Sequence, residues 1–274
     1  MSASHRWVGG DDYEAYVGRW SRPVGRAFVA WLDVPPGAAW LDVGCGTGAL
    51  TATILDAAAP GSVTAIDPSP DFVEHARSNV QDERARFVIG SAAAVPVPDA
   101  AVAVAVSGLV LNFIPNLAAG LAELRRVVAP GGVVAGYVWD YAGGMELIRR
   151  FWDVAIALDP AAAALDEAVR FPICAPDPLR STFEAAGLRD VEVRSIGVPT
   201  VFADFDDLWT PFLSEVGPAP GYAMKLEATQ RDALREGLRS VLPTEADGTI
   251  RLTARAWAVR ATTDGPSPGP SASP

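Results

Sequence analysis

A short apolar run, Ala39-Trp40-Leu41-Asp42-Val43, ends in Gly44-Cys45-Gly46-Thr47-Gly48 and leads at once into the helix-compatible stretch Ala49 to Ala59. Few segments constrain a fold as tightly. Glycine takes positive φ freely and lets the backbone approach a ligand with no Cβ in the way. A tight strand-to-helix turn needs one such residue, so three at alternate positions point to a ligand. The helix beyond offers free N–H groups and the positive end of its dipole, which suit a carboxylate or a phosphate. A Walker A loop is excluded, because Lys and Ser/Thr are missing from the required positions. Gly44-Cys45-Gly46-Thr47-Gly48-Ala49 also satisfies the G-x-G-x-x-A dinucleotide fingerprint. The loop therefore predicts a nucleotide-type ligand and leaves open which one.

Downstream, strands and helices alternate. Pro60-Gly61 stops the first helix, and Ser62 to Asp67 reads as a second strand. Asp67 falls at its end, a distance suited to ribose hydroxyls. Ser69 is placed to cap a helix with Pro70 at its first position and Phe72, Val73, Ala76 and Val80 on one face. Phe87-Val88-Ile89 reads as a third strand, and Ala101 to Val106, apolar throughout, as a fourth covered on both faces. Asn116 caps a helix striped with Leu117, Leu121, Leu124 and Val128, which Pro130-Gly131-Gly132 is expected to end before a fifth strand, Val133 to Val138. Crossovers of this length imply a parallel sheet, hence an α/β fold. Asp177-Pro178 is expected to open a helix that Gly187 closes. Val191 to Arg194 and Ile250 to Trp257 alternate apolar and polar residues, as strands with a wetter face near a sheet edge do.

Half of the residues are hydrophobic, enough for a substantial core, and the formal net charge is −11. Such a charge repels phosphate backbones and anionic membranes and weighs against nucleic acid as the main partner. Two cysteines and two histidines, far apart, supply neither a disulfide framework nor zinc-site spacing, so no metal is expected. The first residues lack the apolar stretch of a secretory signal. The longest apolar run, roughly Ala100 to Leu111, is shorter than the about 20 residues that span a bilayer. A cytoplasmic protein with no membrane insertion is the expectation; the oligomeric state is not legible. Asp264 to Pro274 holds little but Pro, Gly, Ser and Ala, and is expected to be a disordered tail.

Four motifs stand in order over about a hundred residues: Leu41 to Gly48, Ile66-Asp67-Pro68-Ser69-Pro70, Gly90-Ser91-Ala92 with Val95 to Asp99, and Leu124 to Gly132. Together they resemble class I S-adenosylmethionine-dependent methyltransferases of the ubiquinone/menaquinone C-methyltransferase type. Tyr13, Tyr16 and Gly18-Arg19-Trp20-Ser21-Arg22 are similar to the N-terminal helix of many such enzymes. The resemblance implies a Rossmann-like, seven-stranded, mostly parallel sheet with helices on both faces and an antiparallel C-terminal strand. It implies a helical lid in residues 1–36, a cofactor-binding core in 37–140, helix-rich substrate-side segments and the last strands in 141–262, and the tail in 263–274.

S-adenosylmethionine is the implied cofactor. Gly44, Cys45, Gly46 and Gly48 would line its methionine part, and Asp42 would orient the loop and the amino group. Asp67 would accept from both ribose hydroxyls, while Pro68 and Phe72 flank the adenine. Ser91 and Ala92 would meet the adenine edge, and Ser107 with Leu109 would close the floor near the sulfonium. Ser91 stands where the family often has an acidic residue, and Asn112 where it often has His; Asn cannot act as a base.

Asp140, Tyr141 and Tyr16 are the candidate catalytic groups, needed only if the acceptor starts protonated. Arg19, with Tyr16, can reach the cofactor carboxylate or lie on a plain solvated helix face. Cys45 needs only its small size as explanation, and His75 is expected at the surface. Phe202, Phe205, Trp209 and Phe212, beside Asp204, Asp206 and Asp207, are expected to pack a core rather than wall a substrate. The reading is an enzyme that methylates oxygen or carbon of a small apolar or aromatic molecule. Its rivals are a non-catalytic S-adenosylmethionine-binding protein and an NAD(P)-dependent oxidoreductase.

Overall fold

A computed structural model describes residues 16, 18–214 and 217–265. Residues 1–15 and 17 of the 1–36 segment, Tyr13 among them, residues 215–216 and the tail beyond 265 lie outside the described residues. The chain divides into two compact units. One comprises Gly25–Val138, Pro176–Ser195 and Trp257–Pro274; the other comprises Met1–Val24, Trp139–Ala175 and Ile196–Ala256.

The first unit carries the sheet. Its strands are β1 (Ala39–Val43), β2 (Ser62–Asp67), β3 (Ala85–Ile89), β4 (Val102–Gly108) and β5 (Val128–Trp139), with β6 (Arg189–Phe202) and β7 (Ile250–Thr262) running on from the other unit. The order is β3-β2-β1-β4-β5-β7-β6, parallel from β3 to β5, with antiparallel strands at the C-terminal side. The order reverses between β1 and β4, where Asp42 sits in register with Val106. In open α/β sheets a reversal of this kind opens a crevice at the carboxyl ends of the strands. Helices α1 (Arg19–Leu32), α2 (Ala49–Ala57), α3 (Pro70–Asn79) and α4 (Leu117–Val127) flank it.

The sequence signals act locally as expected. Ser69 Oγ accepts from Phe72 N at 3.4 Å to start α3, and Asn116 Oδ1 accepts from Ala119 N at 3.1 Å to start α4. Val73 and Ala76 of α3 close over Ala65 and Phe87 with Cys45 among them.

Two expectations change. Pro130-Gly131-Gly132 does not precede the fifth strand but lies inside β5, at a register shift against Val102 to Val104. Gly131 has φ +76°, and a Cβ on Gly132 would come within 2.6 Å of Ala103 O, so the strand passes this point by bulging. The alternating Ile250 to Trp257 segment lies near a sheet edge as expected, in β7 next to the edge strand β6, and is paired on both sides, with β5 and β6. Alternation reports one wet face, not an unpaired margin. Residues 199–202, read as the start of a substrate-side connection, instead extend β6.

The second unit is mainly helical: α5 (Glu146–Leu158), a 3-10 turn Pro160–Leu165, α6 (Glu167–Arg170), α8 (Phe205–Trp209), a 3-10 turn Thr210–Leu213, α9 (Pro218–Lys225) and α10 (Ala228–Val241). The remaining helix, α7 (Pro176–Ala185), belongs to the sheet-bearing unit and starts one residue before Asp177. Phe202, Phe205, Trp209 and Phe212 are all buried, and Phe205 stacks on Trp209 with ring centres 6.3 Å apart. Asp204 caps α8 through Asp207 N, as a core-packing reading of this cluster predicts.

Candidate functional site

The glycine loop is tied to β2 from both sides. Gly44 N and Cys45 N both donate to Ile66 O, at 2.8 and 3.0 Å, and Gly48 N donates to Cys45 O at 2.9 Å. Gly44 has φ +75°, and a Cβ there would lie 2.5 Å from Val110 Cγ1. Gly46 has φ +52°, but a Cβ on it would meet nothing within 4 Å. Two glycines thus do different work: Gly44 lets Val110 press against the loop, and Gly46 keeps its own surroundings open. Gly48 (φ +88°) precedes α2 without a side-chain cap, so the first N–H groups of that helix have no capping oxygen from it.

Asp67, at the end of β2, holds this geometry. One carboxylate oxygen accepts from Gly46 N at 3.0 Å and the other from Ser69 N at 2.9 Å. Burial raises its pKa, and the two backbone donors pull it back down. A carboxylate has about four lone-pair sites, so two directions stay open for hydroxyl donors.

Asp42 is fully buried on β1. Its Oδ2 accepts from Thr51 Oγ1 at 2.7 Å, and its Oδ1 has no partner among the described residues. Burial, with a smaller contribution from the Asp67 charge, pushes its carboxyl up to about 7 against the Thr51 hydrogen bond. On β4, Ser107 Oγ is also buried with no partner among the described residues, and so is Asn112 Nδ2 in the 3-10 turn Leu111–Phe113. Leu109 takes φ +61° between them, a conformation uncommon outside glycine. Three polar atoms left bare where the sheet order reverses would each cost about 1–3 kcal/mol in isolation, unless a polar ligand joins them.

The other expected residues of this unit fall as follows. Pro68 is exposed and Phe72 half-buried, beside Asp67. Ser91 is exposed; its Oγ accepts from Ala93 N at 3.1 Å, and Ala92 is half-buried next to it. Burial first, and then Asp42 and Asp67, raise the Cys45 thiol, which holds it as an unreactive packing group. His75 is exposed. Thr51 and Val110 were not singled out by the sequence. Neither belongs to a motif, and each matters only through a residue that the loop brings to it.

In the helical unit, Asp140 is buried and held by Arg255, whose Nε and Nη2 lie 2.7 and 2.5 Å from its Oδ2. Tyr141 is buried, its ring 6.1 Å from that of Phe171. Tyr16 is buried edge-on to Phe212, and its hydroxyl has no partner among the described residues. Burial, then the charge of Glu167, raises its pKa well above the usual phenol value. Arg19 donates to Asp207 at 3.0 Å and lies over the rings of Trp20 and Phe202. Its Nε and Nη2 are buried and unpaired among the described residues. Arg19 is thus no plain solvated side chain.

One prediction follows from Asp42. Its folded pKa is raised, so the stability it contributes is fully present below the ordinary carboxylate range and is lost as pH climbs through about 7. Asp67 and Glu167, also raised, act in the same direction. Asp42→Asn in the ligand-free chain should therefore flatten the decline and gain on the order of 1 kcal/mol at about pH 8. Urea melts across the pH range measure it; a decline as steep as the wild type's rules out the Asp42 contribution.

Residues 41–136 match the methyltransferase domain family. The chain is 35% identical over 151 residues to a malonyl-[acyl-carrier protein] O-methyltransferase of Serratia marcescens, an alignment covering 55% of this chain and 56% of that protein. It is 30% identical over 198 residues to the 2-methyl-6-phytyl-1,4-hydroquinone methyltransferase of a Synechocystis strain, covering 70% of this chain and 61% of the relative. The chain thus spans little more than half the length of these curated relatives. Among solved structures, a phosphoethanolamine N-methyltransferase of Haemonchus contortus in complex with S-adenosyl-L-methionine superposes with a TM-score of 0.58 at 15% identity. That alignment covers 96% of this chain and 60% of the other, and it shows a shared fold.

Proposed function

The chain carries at residues 41–136 a methyltransferase domain of the class I, ubiquinone/menaquinone C-methyltransferase-like type, and from that premise we propose that it is an S-adenosylmethionine-dependent methyltransferase acting on a small molecule. The observation that carries the reading is the set of bare polar atoms, Asp42 Oδ1 and Ser107 Oγ, beside the open space at Gly46 and the anchored carboxylate of Asp67. Asp67 keeps acceptor directions for two ribose hydroxyls. Asp42 Oδ1 accepts from an ammonium, which also relieves its buried charge. Gly44, Cys45, Gly46 and Gly48 line the methionine chain, Pro68 and Phe72 flank the adenine, Ser91 and Ala92 meet its edge, and Ser107 with Leu109 closes the floor.

Bound there, S-adenosylmethionine supplies a methyl group activated on a sulfonium. What the protein adds is placement: in-line displacement needs little covalent help, and holding two reactants in line is worth roughly 7–11 kcal/mol of barrier. The proposed division of labour gives residues 37–140 the donor and 141–262 the acceptor. The aromatic residues of the latter favour an apolar or aromatic acceptor, methylated on oxygen or carbon. Asp140 enters this scheme as an ion-pair partner of Arg255 that fixes the turn after β5, with Tyr141 next in the chain; the Tyr16 hydroxyl has no partner among the described residues. The net charge of −11 argues against a nucleic-acid substrate. No helix among the described residues is long and apolar enough to cross a membrane, and we place the protein in the cytoplasm.

Titration calorimetry tests the reading. S-adenosylmethionine and S-adenosylhomocysteine should bind saturably and NADH should not; saturable binding of NADH alone would overturn it in favour of an oxidoreductase. The engagement of Asp140 by Arg255 favours a second reading, a donor-binding protein without transfer. Methyl transfer from labelled donor to any member of a broad acceptor panel excludes that one.

A further inference from the structure

Resting on that reading, we infer that Arg126, paired with Glu123, is the positioning residue that sets the base preference of the donor site. The pair clamps residues 95–99 to α4 and so holds the Ser91-Ala92 edge where an adenine meets it. Residues 91–99 connect β3 to β4 without a strand or helix of their own. Ser91 and Ala94 form an isolated bridge, with Ala94 N donating to Ser91 O at 3.1 Å, and Val97 N donates to Val95 O at 2.8 Å. Both contacts are local. The segment's tie to the rest of the unit comes from α4.

Glu123 Oε2 accepts from Val95 N at 2.9 Å. Arg126 Nη2 donates to Val95 O at 3.1 Å, and its Nη1 donates to Val97 O at 3.0 Å and to Asp99 Oδ1 at 2.6 Å. The two side chains also close on each other, Nε and Nη2 each lying 2.7 Å from a Glu123 oxygen. A guanidinium has five N–H donors in a fixed fork, and five acceptor contacts meet them here. Lysine carries three donors at one point and cannot reproduce the pattern. Arg126 beside it holds the Glu123 carboxyl below the usual range, so the clamp is charged at neutral pH.

Packing carries the clamp to the site. Pro96 lies against Gly90, where a Cβ would come within 2.9 Å of Pro96 Cδ. Gly90 N donates to Asp67 O at 3.1 Å, so the segment starts on the residue assigned to the ribose. Ala92 lies against α4 at Gly120, where a Cβ would be 3.5 Å from Ala92 Cβ. Gly120, Glu123 and Arg126, at three-residue spacing, thus meet the segment along one side of the helix. A partly exposed ion pair adds little stability by itself. This one fixes two carbonyls and an amide in a segment with no regular pairing, next to the edge that reads the base.

S-inosylhomocysteine differs from S-adenosylhomocysteine only at that edge: adenine presents an amino donor and a ring-nitrogen acceptor, and hypoxanthine reverses both. Both ligands are titrated against the full chain by calorimetry, with thermal unfolding alongside. The wild type should bind S-adenosylhomocysteine about tenfold more tightly, or better. Arg126→Ala and Glu123→Ala should each cut that preference to about threefold or less. Arg126→Lys should fall with them, since it keeps the charge without the fork, and it decides if the alanine variants do not fold. Arg125→Ala removes the neighbouring charge, which pairs with Asp264 at 3.1 Å, and should leave the preference unchanged. A merely structural role would weaken both ligands by one factor and keep their ratio. That result in a folded variant, equal binding of the two ligands by the wild type, or the same loss in Arg125→Ala overturns the inference. Failure of the wild type to bind S-adenosylhomocysteine at all overturns the donor reading, and this inference with it.

Discussion

Gly44→Ala should unfold in urea at a clearly lower concentration than the wild type, with a loss of about 2–5 kcal/mol. Two costs add at this position. The backbone is at φ +75°, where an L-residue pays about 1–2 kcal/mol, and the new Cβ would sit 2.5 Å from Val110 Cγ1 and 2.9 Å from Cγ2. Val110 follows Leu109, itself at φ +61°, and the pair come directly after β4. The obstruction is therefore a branched side chain on constrained backbone, which yields poorly; overpacking of that kind costs about 1–3 kcal/mol. Gly46→Ala is the matched control. It has φ +52° and nothing within 4 Å of its Cβ, so it should cost folding only about 1–2 kcal/mol and act chiefly on donor binding, since the methyl enters open space. Equal destabilisation by the two substitutions would mean that Val110 moves away freely.

Asp67→Ala should weaken S-adenosylhomocysteine binding by about 1.5–3 kcal/mol, roughly 10- to 150-fold. The carboxylate acts twice. It accepts from Gly46 N and Ser69 N, fixing the loop and the start of α3, and its remaining lone pairs are left for hydroxyls. Asp67→Asn separates the two roles. Its single carbonyl can keep one backbone donor, so part of the loop geometry survives while charge-assisted acceptance is lost. The asparagine variant should fall between alanine and wild type. An affinity within about twofold of wild type in Asp67→Ala would remove the ribose assignment.

Much of this site was legible in the sequence because its signals are local. The loop from Leu41 to Gly48 needs positive φ at Gly44, Gly46 and Gly48, and the structure has it at all three. Ser69 and Asn116 cap the helices that they precede. Misreadings came where a local pattern has two structural causes. Pro130-Gly131-Gly132 has the composition of a helix terminator, but Gly132 sits where Ala103 O comes too close for any side chain, and the chain continues as strand. Glu167 belongs to no motif; the stretch Ala161 to Ala168 around it holds alanines, Leu165 and two acids. Its burial is imposed by Trp152 and the rings behind it.

The sequence by itself determined the alternation of strands and helices around the glycine turn, which is encoded locally, and, through four motifs in order over about a hundred residues, the resemblance that implies the cofactor. Only the tertiary structure decided what the carboxylates do. Asp67 props up the glycine loop 21 residues upstream, and Asp140 is bound by Arg255, 115 residues away. Asp42 is driven toward its neutral form by burial beneath the sheet's switch point. A carboxylate's charge and partners depend on desolvation and on groups brought together from distant parts of the chain, and no spacing along the chain records either. The glycine loop announced a site; the surrounding packing set its electrostatics.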